Sequence, residues 1–301
     1  MDEAVRSVLP EGANIVEVTT HGKTNWSDGY KVVVQTLEGN SKAYFMKVVD
    51  KEKGLEMVRG EYEGQVALRA VIPDNIPLPI AYGTYKEDET KHFYIAEFCD
   101  MRDKAPKPKD LAKLLAKLHT DSISPTGKFG FPITTYKGFF RLQTDWCDSW
   151  EVFFARQLRE EVEWEKSVRG KDDEMDQLIE QLFETIIPRL LRPLQTGNRS
   201  IKPTLCHGDL WHGNCATNID TQELMIFDSC VAYMHNEFEL SLMRHPRYLL
   251  NKPHLDEYTK VVVQSEPVDD FDDRNALYSL RNDIVVSALW DSWTVRLRAQ
   301  N

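Results

Sequence analysis

Between Ile15 and Phe98 the apolar residues come in short runs separated by polar, glycine-containing breaks: NIVEVTT, YKVVVQTL, KAYFMKVVD, IAYGTYK and HFYIAEF. Runs of this length, rich in Val, Tyr, Phe and Thr and bounded by turn residues such as EGN, predict β-strands. One stretch interrupts them. GLEMVRGEYEGQVALRAVI sets apolar residues at Leu55, Val58, Tyr62, Val66 and Leu68 to Ala70, an approximate helical stripe that stops before the proline-rich IPDNIPLPI. Beyond DMRDKAPKPKD the period becomes helical, in LAKLLAKLH, WEVFFARQLREEVEWEKSV, DQLIEQLFETIIPRLL and NALYSLRNDIVVSALWDSW. The pattern predicts an α+β, bilobal chain: a small β-rich N-lobe with one helix over residues 1–98, and a larger, mainly helical C-lobe over 99–301.

Composition narrows the class. With 301 residues, 42% of them hydrophobic, the chain can bury a sizeable core. No apolar run approaches the ~20 residues of a membrane-spanning helix, and MDEAVRSVLPEG has no extended apolar signal segment. Five scattered cysteines, never in a CxxC pair, suggest neither a disulfide framework nor a zinc site. These features predict a cytoplasmic protein without a membrane partner. A formal charge of −11 opposes a nucleic-acid partner, because such binding draws on Lys and Arg to neutralise phosphates.

The chemistry concentrates in LCHGDLWHGN and the run that follows it. His207, Asp209 and Asn214 keep the spacing H-x-D-x-x-x-x-N, the kinase catalytic-loop pattern in which Asp accepts a hydroxyl proton and Asn holds magnesium. Fourteen positions beyond Asn214, the apolar LMIF ends on Asp228, where a strand end would supply a second metal oxygen. Phosphoryl transfer also needs a cation on the donor phosphates. Lys47, late in KAYFMKVV, stands where a phosphate-binding lysine belongs, and its anchor should lie on the following helix. Glu61 and Glu63 both qualify, with Glu63 preferred. THGKTNWSDGYKV occupies the place of a phosphate-covering loop, although Gly22 and Gly29 do not make a G-x-G-x-x-G. HFYIAEFCDM would bring Glu97, Phe98 and Cys99 to a lobe connector whose backbone reads an adenine edge.

Blander roles compete at several positions. Asp209 alone is an ordinary turn or cap residue; the ordered set Lys47, acidic helix, HGD…N and Asp228 is what points to a protein-kinase-like fold. His207 suits bracing of the loop backbone, and His119 a helix C-terminus. Trp146, Trp150, Phe153 and Phe154 have packing periodicity. Trp211 offers an aromatic face beside the base, for a sugar ring or for packing. His235, Glu237 and Glu239 either bind a cationic acceptor or fix the loop to neighbouring helices.

HGDLWHGN followed by IFD and HNEFEL, together with KFGF (Lys128 to Phe131) and DW with W-x-x-FFARQL (Asp145 to Leu158), resembles the fructosamine/ketosamine-3-kinase family, within the aminoglycoside-phosphotransferase-like superfamily. The likeness runs from about residue 10 to 293. It implies ATP- and Mg²⁺-dependent phosphorylation of the sugar 3-hydroxyl of a ketosamine, free or on a glycated protein lysine, which initiates deglycation. It further implies Asp209 as base, Asn214 and Asp228 as metal ligands, Lys47 as phosphate lysine and Trp211 as the residue that stacks on the sugar; from the residues themselves, His212 and Glu237 are further candidates on the acceptor side. The chain departs from the family pattern at Ser229 and Cys230, where a proline-alanine pair is usual, and at Gln65, where a glutamate is expected. Its phosphate loop is also poorer in glycine.

Overall fold

The computed structural model describes residues 1–102 and 104–290, so the end of the predicted helix NALYSLRNDIVVSALWDSW, Asp291 to Trp293, lies outside the described residues. In chain order the first elements are α1 (Glu3–Arg6), β1 (Asn14–Lys23), β2 (Asp28–Gln35), β3 (Ser41–Val49), α2 (Gly54–Val71), β4 (Pro79–Thr84), β5 (His92–Glu97) and β6 (Met101–Arg102). Then come α3 (Pro108–Asp121), β7 (Tyr136–Lys137), β8 (Phe140–Arg141), α4 (Trp150–Arg169), α5 (Asp173–Gln181) and α6 (Ile187–Leu191). β9 (Thr204–Cys206), β10 (Cys215–Asn218), β11 (Leu224–Ile226), β12 (Ala232–Met234), α7 (Lys252–Val261) and α8 (Phe271–Leu289) complete the series. They divide into two compact units: residues 1–106, 133–142 and 213–231, and residues 107–132, 143–212 and 232–301. Among the described residues no helix is long and apolar enough to cross a membrane.

In the first unit the five predicted strands form one antiparallel sheet in the order β1-β2-β3-β5-β4. Strand side chains alternate between faces, and β3 uses both. Tyr44 and Met46 join Val32, Val34, Phe93 and Ile95 on the face covered by Val5 and Leu9. Phe45, Lys47 and Val49 fall on the other face, where Met57 and Val58 of α2 pack against Val49, Tyr94 and Ala96. The same alternation that builds the core therefore turns Lys47 toward α2.

The buried face of α2 differs from the predicted stripe. Leu55 and Val66 are 42% and 40% exposed, whereas Met57, Val58, Gly60, Gly64, Gln65 and Leu68 are buried. Two glycines decide this. A Cβ at residue 60 would lie 2.7 Å from the Thr134 carbonyl oxygen, and one at residue 64 would lie 3.1 Å from Val231. The close approach of the Thr134 backbone at Gly60 and of the Val231 side chain at Gly64 needs residues without a Cβ, which sets this face of α2 inward. A second, three-stranded sheet, β11-β10-β6, carries the segment that leads to Asp228.

In the second unit α4 packs on α8 and α3 on α7. Trp150, Phe153 and Phe154 are buried, with the Trp150 indole N–H donating to Tyr278 Oη at 2.8 Å, so this series is packing. The predicted helix DQLIEQLFETIIPRLL is split into α5, a π-helical turn at Leu182–Ile186, and α6. Pro188 has no N–H to continue the α-helical ladder and crowds the carbonyl four residues earlier, which accounts for the wider turn ahead of it. β9 pairs antiparallel with β12, Cys206 opposite Ala232, and hands the chain directly to His207.

Candidate active site

In the first unit Lys47, Glu61 and Asp228 meet. Lys47 Nζ lies 2.7 Å from Glu61 Oε2 and 2.6 Å from Asp228 Oδ1. Burial by itself would favour the neutral amine, but the carboxylates of Asp228 and Glu61 hold the Lys47 pKa above the ordinary lysine value. Burial pushes the Glu61 carboxyl up to about 7, with Lys47 opposing the shift and the charge on Asp228 adding to it.

The partner of Lys47 on the helix is thus Glu61, which corrects the preference for Glu63. Residues three or four apart share a helix face, and Glu61 stands in that relation to the buried Met57, Val58, Gly64 and Gln65. Glu63 stands two positions further round. We expect Glu61→Gln to lower transfer roughly ten- to hundredfold, the worth of one charged hydrogen bond, and Glu63→Gln to stay within about twofold of wild type. The pH profile is the second readout. Above about pH 7 Glu61 is ionised and can pair with Lys47, and below it the protonated acid cannot, so the wild-type rate should fall on the acid side of 7. Gln has no proton to lose, so the variant should lack this limb.

Asp228 has φ +58°, a left-handed conformation that Asp tolerates better than most residues. Asn214, 4% exposed, donates from Nδ2 to the Asp228 carbonyl at 3.3 Å, and the Phe227 N–H donates to the Asn214 carbonyl at 3.1 Å. Backbone and side chain together fix these two residues to each other, with the Asp228 side chain 49% exposed. A carboxylate and an amide are oxygen donors of the kind a hard cation such as Mg²⁺ takes. Among the described residues Gln65 Oε1 and Ser229 Oγ, at two of the positions that depart from the family pattern, are buried without a hydrogen-bond partner.

Of the three connector residues, two have committed their donors. The N–H of Glu97 donates to the Leu78 carbonyl at 2.8 Å and that of Phe98 to the Ala43 carbonyl at 3.2 Å. Reading of an adenine edge by backbone N–H therefore cannot use Glu97 or Phe98 without breaking the sheet edge, a constraint invisible in HFYIAEFCDM. The polar loop between β1 and β2 is a tight turn over Thr24 to Ser27, closed by Thr24 N–H to the Ser27 carbonyl. Gly29 is required there: a Cβ would come within 2.3 Å of the His21 carbonyl oxygen.

The HGD-loop residues His207 to His212 belong to the second unit. His207 is fully buried, and its Nδ1 accepts the Asp209 N–H at 3.3 Å. Glu239 holds the loop from beneath, Oε2 accepting the His207 N–H and Oε1 the Gly208 N–H at 3.1 Å. Burial alone would raise the Glu239 pKa; a hydrogen bond from His119, the nearby His207 and that backbone N–H hold it below the usual carboxylate value. Asp209 is partly exposed beyond this brace. Trp211 packs edge-on to His212, ring centroids 4.9 Å apart, and tilted on Tyr248 at 5.7 Å.

Glu237 is not an acceptor residue in this fold. It is 2% exposed, forms a bidentate pair with the fully buried Arg274 at 2.8 and 3.1 Å, and accepts the Ser265 N–H at 2.7 Å. Arg274 was invisible as its partner because 37 residues separate them. His212 also has a fixed role, its Nδ1 accepting the Leu249 N–H at 3.2 Å.

A strand lysine paired to a helix glutamate, an Asp–Asn oxygen pair and a braced HGD loop define a phosphotransferase of the protein-kinase-like class. Residues 12–292 match the fructosamine kinase family, and the chain belongs to that family. It is 26% identical over 231 residues to the ketosamine-3-kinase of Mus musculus, covering 69% of this chain and 71% of that protein. It is 25% identical over 201 residues to the chloroplastic protein-ribulosamine 3-kinase of Arabidopsis thaliana, covering 66% of this chain and 58% of that one. The fold matches the crystal structure of a putative fructosamine-3-kinase from Thermobifida fusca with a TM-score of 0.76 over 99% of this chain and 96% of that one, at 19% identity.

Proposed function

We propose that this protein is an ATP- and Mg²⁺-dependent kinase that phosphorylates the sugar 3-hydroxyl of ketosamines, the fructosamine or ribulosamine adducts of lysine or protein amines. The observation that carries the reading is the buried Lys47–Glu61 pair meeting Asp228, with Asn214 locked to the Asp228 backbone. Lys47 would neutralise charge on the donor phosphates. Asn214 and Asp228 would hold Mg²⁺, which when bound shields the phosphate oxygens. Asp209 would orient the sugar hydroxyl and accept its proton, with His207 and Glu239 keeping its backbone in place. Trp211 would give the apolar face of the sugar ring a surface to rest on. The Cys99 backbone, its neighbours' donors being committed, would read the adenine edge. Burial of Glu237 against Arg274 removes the acid on which a general preference for cationic amino alcohols leaned.

The test is phosphate transfer from MgATP to fructosyl-lysine and ribulosyl-lysine, followed by ADP release, with the phosphorylated carbon located by NMR. We expect the 3-phosphate. Turnover of aminoglycosides or other amino alcohols with none on either ketosamine would overturn the reading, as would Mg²⁺-dependent nucleotide binding without transfer to any acceptor.

A further inference from the structure

The second unit carries a cation beside the catalytic loop that phosphate chemistry does not use. His245 and Tyr248 close a turn that exposes Arg247, the Tyr248 N–H donating to the His245 carbonyl at 3.2 Å. Both ends of the turn are fixed. At one end His245 is buried, its Nε2 3.0 Å from Ser279 Oγ of α8. At the other the Leu249 N–H is held by His212 Nδ1 of the catalytic loop itself. Tyr248 packs on Trp211 at 5.7 Å and on His212 at 6.1 Å. The Arg247 guanidinium lies over the Tyr248 ring, 4.9 Å from its centroid. Among the described residues Arg247 makes no ion pair, in a chain whose formal charge is −11.

Resting on the functional reading above, we propose that Arg247 is a specificity residue that selects acceptors bearing a carboxylate near the glycated amine. Trp211 lies two positions from the proposed base Asp209, so a sugar resting on Trp211 would direct its amine-linked remainder along the Trp211–Tyr248 corner toward Arg247. A planar guanidinium stacked on an aromatic ring still offers its in-plane N–H groups, and a carboxylate accepts two of them at once. Two sources supply such a group: the α-carboxylate of a free glycated amino acid, or an acidic side chain beside a glycated lysine in a protein.

The test compares kcat/KM for fructosyl-lysine with that for its carboxamide, using wild type, Arg247→Gln and Arg247→Glu. We expect wild type to favour the acid at least tenfold, Arg247→Gln to abolish that preference while leaving the carboxamide within twofold, and Arg247→Glu to reverse it. Equal wild-type rates on acid and amide, or equal losses on both in Arg247→Gln, would overturn the assignment while leaving ketosamine phosphorylation standing. No transfer to either compound would instead remove the functional reading, and this inference with it. Glycated-lysine peptides with glutamate or glutamine as neighbour separate the two sources: a glutamate preference lost in Arg247→Gln assigns the protein side chain, and no preference assigns the free α-carboxylate.

Discussion

Asp209→Asn is expected to fold, to bind MgATP as wild type does, and to transfer phosphate about 10³-fold more slowly, within the range a positioned general base contributes. Asn keeps the shape and volume of the side chain but cannot take a proton. Backbone contacts brace the loop here, the Asp209 N–H on His207 and the preceding amides on Glu239, and the substitution leaves these in place. Loss of rate with unchanged nucleotide affinity in single-turnover experiments would therefore report the chemistry. A variant within tenfold of wild type would remove Asp209 from the role of base.

Glu237→Ala is expected to cost about 3–5 kcal/mol of folding stability, because it leaves the Arg274 guanidinium charged and buried without its carboxylate. The Ser265 N–H loses its acceptor in the same step. Replacing both partners with apolar residues, Glu237→Leu with Arg274→Met, should recover most of that loss, since no buried charge then remains. Urea unfolding followed by circular dichroism measures both. If Glu237 instead contacts the acceptor, the single variant will unfold like wild type and raise KM, and the structural assignment fails.

Much of this molecule is legible along the chain. The five N-terminal strands emerge where short runs rich in Val, Tyr, Phe and Thr between turn residues predict them, because β-branched and aromatic residues bounded by such breaks favour extended chain without tertiary information. The kinase-like fold was likewise readable in HGD…N, the strand-terminal Asp228 and the strand lysine, since phosphoryl transfer calls on those residue types, and the family in HGDLWHGN together with KFGF and DW…W…FFA. The choice between Glu61 and Glu63 was not. It depends on which face of α2 is buried, and Gly60 and Gly64 settle that by permitting close packing, against the Thr134 backbone and the Val231 side chain, while Leu55 and Val66 stay exposed.

Functional and structural acids look alike in a sequence. Glu237 and Glu239 are two positions apart in HNEFEL, yet one neutralises a buried arginine from α8 and the other accepts two amides of the catalytic loop. The committed N–H groups of Glu97 and Phe98 are equally silent, because a backbone donor leaves no trace in side-chain identity. Local order along the chain thus determined the elements, the class of chemistry and its residue types. Which carboxylate faces which cation was decided only by folding, because a charge is stabilised by its surroundings in three dimensions and those come from segments far away in the sequence.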